Sequence, residues 1–271
     1  KKKKIWWNVI INLNNEFIKR LTTSLILIFL LIGIFSIGNN GIYLMVIVLS
    51  FLSFLEIYNL SKNKLIYHYF IPLFILLYFF GKKNEIFNLV EQFQLMIFYG
   101  LSSLFIVLCL FKKSNIHFSI VGFLINSTFF SIIHIIENQN LEYKLIFIII
   151  SMISLCDIFA FLIGKKFGKL KIFPKISPNK TMEGYIGSIF CTLLLFTLIF
   201  SHYNLTDLDL IFYVILIIIS SFVGDLYVSY FKRTLNIKDL GKLFPGHGGV
   251  LDRIDSWLFS FPLSVLILQF S

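Results

Sequence analysis

The chain has little of what a water-exposed surface requires. Only 14% of its 271 residues are charged, against 58% hydrophobic, and the mean hydropathy is +0.87. Too few polar side chains remain to cover a soluble globule, so the composition excludes that class and leaves a polytopic membrane protein. Cysteine is scarce: Cys109, Cys156 and Cys191 sit in apolar stretches without CxxC spacing, so neither a disulfide framework nor a zinc site is expected. Three Trp stand beside 33 Phe, which with the abundant Ile, Asn and Lys reads as the drift of an AT-rich genome. No linker rich in Pro, Gly or Ser and no internal repeat divides the chain. A cleavable signal peptide is not expected, because polar and charged residues 12–20 follow the Lys-rich start and no small-residue site closes the first apolar run. The sequence opens on Lys1 rather than Met, as a fragment would.

What is present is a series of about nine apolar runs, each near the roughly 20 residues that cross a bilayer. They lie near 21–38, 40–58, 65–80, 94–111, 118–136, 145–163, 185–200, 210–230 and 256–270. The expected fold is an all-α polytopic integral membrane protein with about nine transmembrane helices. Gly33, Gly38 and Gly41 should make the first two a tight hairpin. Lys and Arg are retained on the cytoplasmic side, and with a cytoplasmic N-terminus the inner segments hold 21 of the 24. Lys82, Lys83 and Lys144 are left outside, beside Glu85, Glu91, Glu137, Glu142, Asp207 and Asp209. The net charge of +10 follows from this asymmetry and favours anionic headgroups; it does not support nucleic-acid binding. Residues 1–150 read as N-terminal membrane helices. Residues 151–271 read as a catalytic membrane region carrying the two longest basic loops, 164–184 and 231–255, on the cytoplasmic face.

The stretch from Ser229 to Asp255 sets Lys232, Arg233, Lys238, Asp239, Lys242, His247, Gly248, Gly249, Asp252, Arg253 and Asp255 between two apolar runs. Charge this dense between membrane segments is costly unless it performs chemistry at the membrane face. Asp225 lies inside the eighth run, and Asp252 and Asp255 are spaced i, i+3 where the last helix begins, on one face of its first turn. Together the three can hold hard divalent cations through oxygen, as Mg²⁺-dependent phosphoryl chemistry requires. The plainer reading has Asp252 and Asp255 favouring a helix N-terminus and Asp225 paired with Arg233. Pro245-Gly246-His247-Gly248-Gly249 lets successive backbone N–H groups converge on a phosphate, and Lys232, Arg233, Lys238 and Arg253 supply neutralising charge. His247 either donates to a phosphate or satisfies the loop. In the other loop, Ser177, Lys180 and Thr181 suit phosphate and Pro178 fixes a turn, although a Ser or Thr followed by Glu183 also simply starts a helix. Asp157 is a further acid inside an apolar run.

These residues carry a resemblance. Ser229-x-x-Lys232-Arg233, Lys238-Asp239, Gly241, Pro245, His247-Gly248-Gly249, Asp252-Arg253 and Asp255 resemble the C-terminal motif of the phosphatidate cytidylyltransferases, the CDP-diacylglycerol synthases. An upstream Ser-Pro-x-Lys-Thr-x-Glu-Gly element matches Ser177 to Gly184, and an Asp-x-x-Ala-aromatic-x-x-Gly element matches Asp157, Ala160, Phe161 and Gly164. Phe161, Asn179 and Met182 stand where the family more often has Tyr, Lys and Trp. The motifs cover roughly residues 155–258.

The resemblance implies transfer of a cytidylyl group from CTP to phosphatidate, with Mg²⁺ and room for a second cation. It implies metal ligation by Asp225, Asp252 and Asp255, and catalytic roles for Lys232, Arg233, Lys238, Asp239, His247 and Arg253. Substrate contacts fall to Asp157, Ser177, Pro178, Lys180, Thr181, Glu183, Ser229, Gly248 and Gly249. The partners expected are CTP, phosphatidate and membrane lipids, and a homodimer is compatible. The expected location is a bacterial inner membrane with the site facing the cytoplasm. Two rivals share features. A CTP-dependent lipid kinase needs the same phosphate cradle, and an ion-coupled transporter explains the intramembrane acids, though no inverted repeat appears and the acids gather towards one face.

Overall fold

The computed structural model describes residues 22–61, 116–137, 144–200, 207–244 and 248–270. Within them the helices are α1 (Thr22–Ser36), α2 (Asn39–Leu60), α3 (Ile116–Glu137), α4 (Lys144–Phe167), α5 (Met182–Phe200), α6 (Asp207–Thr234), α7 (Leu251–Ile254) and α8 (Trp257–Phe270). Among the described residues the only β pairing is two isolated bridges, Lys171 with Thr181 and Phe244 with Gly248. The expected runs at 65–80 and 94–111 lie outside the described residues; the other seven coincide with α1 to α6 and α8.

Among the described residues four helices are long and apolar enough to cross a membrane: Asn39–Leu60, His117–Ile136, Lys144–Phe167 and Ile211–Thr234. The 24 residues of α4 reach about 36 Å at 1.5 Å per residue, more than the roughly 30 Å of a hydrocarbon core. α1, α5 and α8 are shorter apolar helices. Large side chains such as Phe29 (71% exposed), Phe190 (67%) and Phe212 (61%) project outward, a surface suited to lipid rather than water. Within the helices, many serine and threonine hydroxyls are satisfied locally. Ser127 and Thr128 both donate to the Leu124 carbonyl, and Ser131 to that of Ser127, so a buried polar side chain costs little.

Packing runs α2 on α3, α3 on α8, α8 on α6, α6 on α5 and α5 on α4. α3 is the inner helix of this array, with 78% of its span buried against 33% for α4. Phe231 of α6 meets Phe118 of α3 edge-on at 5.1 Å, and Phe231, Phe129 and Phe261 are fully buried. The α1–α2 hairpin turns at Gly38, whose φ of 73° suits glycine, and Gly41 lets α2 approach the Ile34 carbonyl. Gly33, expected to share in this, faces open space.

Two further contacts through small residues set the site. A Cβ on Gly184 would lie 2.7 Å from the Ala160 carbonyl oxygen, so α4 and α5 meet almost backbone to backbone. A Cβ on Gly224 would lie 2.5 Å from the Asp255 carbonyl oxygen, and one turn away Ser220 donates to the Ser260 hydroxyl at 3.3 Å, closing α6 onto the start of α8. Asp157 of α4, Asp225 of α6 and Asp255 are thereby drawn to one end of the bundle.

Candidate active site

The segment between α4 and α5 doubles back on itself. Ile172 N–H donates to the Lys180 carbonyl at 3.3 Å and Met182 N–H to that of Leu170 at 2.9 Å. Glu183, in the first turn of α5, accepts the N–H groups of Lys169 and Leu170 at 3.0 and 3.1 Å, which ties off the end of α4. Folded this way, the segment hangs Ser177, Lys180 and Thr181 over α4. With Asp157, Ala160, Phe161, Asn179, Tyr185 and Asp225 they line a cleft of about 230 Å³. That is below the several hundred Å³ usual for a drug-sized ligand, a space for phosphoryl groups with the rest of a substrate outside it.

Charge in the cleft is mixed. Lys180 Nζ forms an ion pair with Asp225 Oδ2, and the Ser229 hydroxyl donates to the other oxygen of Asp225 at 3.4 Å. The Ser256 hydroxyl donates to Asp157 at 3.4 Å, and Ser256 N–H to Asp255 Oδ1 at 2.9 Å. Burial, and then the charge of Asp225, push the Asp255 carboxyl up to about 8; Lys232 opposes the rise and Asp157 adds to it. Asp225 and Asp157 thus make charge at Asp255 costly while Lys232 eases it, and a cation among the three acids would ease it further. Among the described residues no three His, Cys, Asp or Glu side chains close on one point as a ready-made metal cage. A donor set of one or two carboxylates plus substrate phosphates is the arrangement Mg²⁺ prefers, so the residues fit that ion better than a fully protein-bound one.

Asp252 is placed differently, although the backbone stays helical from it to Asp255. Its Oδ1 accepts Lys232 Nζ at 3.0 Å, and its Oδ2 accepts the N–H groups of Leu240 and Gly249 at 2.9 and 2.8 Å. The pair is nearly dry, with side chains 13% and 4% exposed for Lys232 and Asp252. Gly248 completes this knot: its φ is +87°, it exchanges backbone bonds with Phe244, and a Cβ there would strike Asp252 Oδ2 at 2.6 Å.

Arg233 joins the two loops rather than pairing with Asp225: its Nε donates to the Ile176 carbonyl at 3.1 Å and its Nη1 to that of Ile237 at 3.3 Å. Pro178, Lys238, Asp239 and Arg253 are exposed, Pro178 on a turn and Arg253 near enough for its charge to act at Asp157. His247, with Pro245 and Gly246, lies outside the described residues. The structure thus brings Asp157, Ser177, Lys180, Thr181, Asp225, Ser229 and Asp255 together, and sets Lys232, Asp252, Gly248 and Gly249 in an adjoining knot. Two further residues, outside the sequence motifs, take part. Tyr185 lines the cleft with a buried hydroxyl that has no protein partner. Glu56, half-buried near the end of α2, accepts the N–H groups of Val250 and Leu251 at 2.7 and 3.0 Å. The signal for Glu56 was the one that marked Asp157 and Asp225, an acid inside an apolar run.

Residues 18–271 match the model of the cytidylyltransferase family. The chain belongs to the cytidylyltransferase family. It is 30% identical over 258 residues to a phosphatidate cytidylyltransferase of Staphylococcus haemolyticus, covering 92% of this chain and 98% of that protein. It is 42% identical over 136 residues to a phosphatidate cytidylyltransferase of Staphylococcus aureus, covering 49% of this chain and 52% of the relative. A Staphylococcus saprophyticus protein of the same name is 41% identical over 138 residues, with the same coverage. The cytidylyltransferase match extends well N-terminal of the motif-bearing stretch and takes in α1 to α3.

Proposed function

We infer that this chain transfers the cytidylyl group of CTP to phosphatidate, giving CDP-diacylglycerol and pyrophosphate. The observation that carries the reading is a phosphate-sized cleft at the end of apolar helices, in which Lys180 faces Asp225 and Asp157 with Asp255 beside them. It occurs in a chain that aligns with 98% of a protein named phosphatidate cytidylyltransferase.

The attacking group, a phosphate monoester, is already anionic at neutral pH, so no strong general base is required. A bond forms between a lipid phosphate oxygen and the α-phosphorus of CTP, and the bond from that phosphorus to the α–β bridging oxygen breaks. Pyrophosphate leaves with the electron pair. The protein's task is alignment and charge neutralisation. Lys180 is placed to swing from Asp225 onto a phosphate, and Ser177 and Thr181 offer hydroxyl donors on the same wall. Asp225 and Asp255 are the residues best placed to hold Mg²⁺, with Asp157 next to them, and a second cation fits the same acidic crowd. The bound ion would neutralise the triphosphate and the charge that develops on the leaving group. Asp252 then serves by holding the loop that carries Asp255. The acyl chains stay in hydrocarbon while the headgroup reaches the cleft, which accounts for a nucleotide enzyme built from membrane helices. The gathering of both basic loops at this end supports a cytoplasmic site in a bacterial membrane.

The test is positional labelling in the purified protein with phosphatidate and Mg²⁺. Label at the α position of CTP should enter lipid, and label at the γ position should leave as pyrophosphate. γ-Label in lipid would establish a CTP-dependent kinase instead, and no labelled lipid from either position would remove the transfer reading.

A further inference from the structure

The contact between Glu56 and the loop ahead of α7 joins the two halves of the chain across 194 positions. Each carboxylate oxygen takes one backbone donor, Oε1 from Val250 and Oε2 from Leu251. Those residues directly precede Asp252 and lie within five positions of Asp255, and Gly249, the next donor back, is held by Asp252. Three consecutive N–H groups are thus held by two carboxylates, Gly249 by Asp252 and Val250 and Leu251 by Glu56. The fit leaves no slack. A Cβ on Gly249 would meet Glu56 Oε1 at 2.4 Å, Oε2 at 2.6 Å and Cδ at 2.7 Å, and one on Gly241 would meet Oε1 at 2.4 Å. A side chain at 241 or 249 would therefore have to displace the Glu56 carboxylate from its two donors.

We propose that Glu56 is a positioning residue for the transfer: it clips the Val250–Leu251 backbone to α2 and so sets the distance of Asp255 from Asp225 and Lys180. The proposal rests on the cytidylyl-transfer reading, and it assigns the N-terminal half a part in the chemistry. The competing role is plain stabilisation, in which a carboxylate satisfies two loose backbone donors and nothing else. The two differ in what a conservative change does. Gln has one acceptor and puts an NH₂ against the second N–H, so Glu56→Gln keeps size and removes a charge from a membrane helix while breaking half the clip.

The experiment uses the full chain in nanodiscs. In the ligand-free protein, backbone hydrogen exchange is read for residues 248–254, and unfolding midpoint, turnover and the Mg²⁺ activation curve are measured alongside. Glu56→Gln should speed exchange in that segment, cut turnover about 10- to 100-fold, and move half-activation to higher Mg²⁺, at an unchanged midpoint. Gly249→Ala should do the same by displacing the carboxylate. Combining it with Glu56→Ala, which removes the clash, should cost no more than the worse single change. Wild-type exchange or wild-type turnover in Glu56→Gln would overturn the proposal, as would losses that multiply in the double variant. Should Glu56→Gln not accumulate, wild-type turnover in Gly249→Ala would overturn it alone. Because exchange is read without substrate, a failed clip and a wrong reaction assignment give different results.

Discussion

Two acidic centres sit side by side at one end of this bundle, and they are built on opposite terms. Asp157 and Asp225 on the cleft wall and Asp255 beside them come from three elements; Asp225 pairs with Lys180, hydroxyls reach Asp225 and Asp157 at 3.4 Å, and Asp255 accepts one backbone N–H at 2.9 Å. In the knot, Asp252 has its oxygens taken by Lys232 and two backbone N–H groups, all within 3.0 Å. A carboxylate that already accepts three donors has most of its lone-pair sites in use, and removing it leaves buried donors unpaired. A carboxylate short of partners at a cleft wall keeps its capacity for a cation or substrate. Two aspartates three residues apart thus sit in different surroundings, one in a saturated hydrogen-bond knot and one among other acids.

The contrast can be broken most sharply at Asp255. Asp255→Asn should lower turnover by about 100-fold or more while the protein still assembles, since the change removes a disfavoured charge; assays at saturating Mg²⁺ against a thermal unfolding curve test this. Next comes Lys180→Gln, for which about a 10- to 100-fold loss is expected, expressed mainly in the CTP or phosphatidate concentration needed, as read from initial rates against each substrate. Lys232→Met strands Asp252 and should cost about 3–5 kcal/mol of stability in a chemical unfolding series, with turnover falling as folded protein is lost. Arg233→Ala releases two carbonyl contacts and should cost about 1 kcal/mol, seen as faster proteolysis of the 173–177 turn. Lys82→Ala and Lys83→Ala, assigned to the outer face by charge asymmetry, should leave turnover unchanged.

The parts of this account legible in the sequence are those set by cost. Apolar runs long enough for a bilayer become helices wherever they fall among the described residues, because backbone groups in lipid must bond internally. Asp157 and Asp225 stood out because acids inside such runs are expensive, and both line the cleft. Partner choice was not legible. Asp225 pairs with Lys180 across 45 positions rather than with nearby Arg233, because α4 and α5 close through Gly184 and carry Lys180 over α6. The i, i+3 spacing placed Asp252 and Asp255 on one helical face, yet a loop that folds back through Leu240 and Gly249 claims only the first. Glu56 was legible by the cost rule, but its target lies in a loop that no local pattern connects to α2.

The division between cleft and knot is tested most directly by comparing Asp225→Asn with Asp252→Asn, measuring Mg²⁺-dependent turnover per folded molecule and unfolding midpoint on the same preparations. Asp225→Asn should lose turnover and hold its midpoint, whereas Asp252→Asn should lose several degrees of midpoint and retain more turnover per folded molecule than Asp225→Asn. Full activity in Asp225→Asn, or an Asp252→Asn protein that is inactive at an unchanged midpoint, would contradict the assignment of chemistry to one centre and scaffolding to the other.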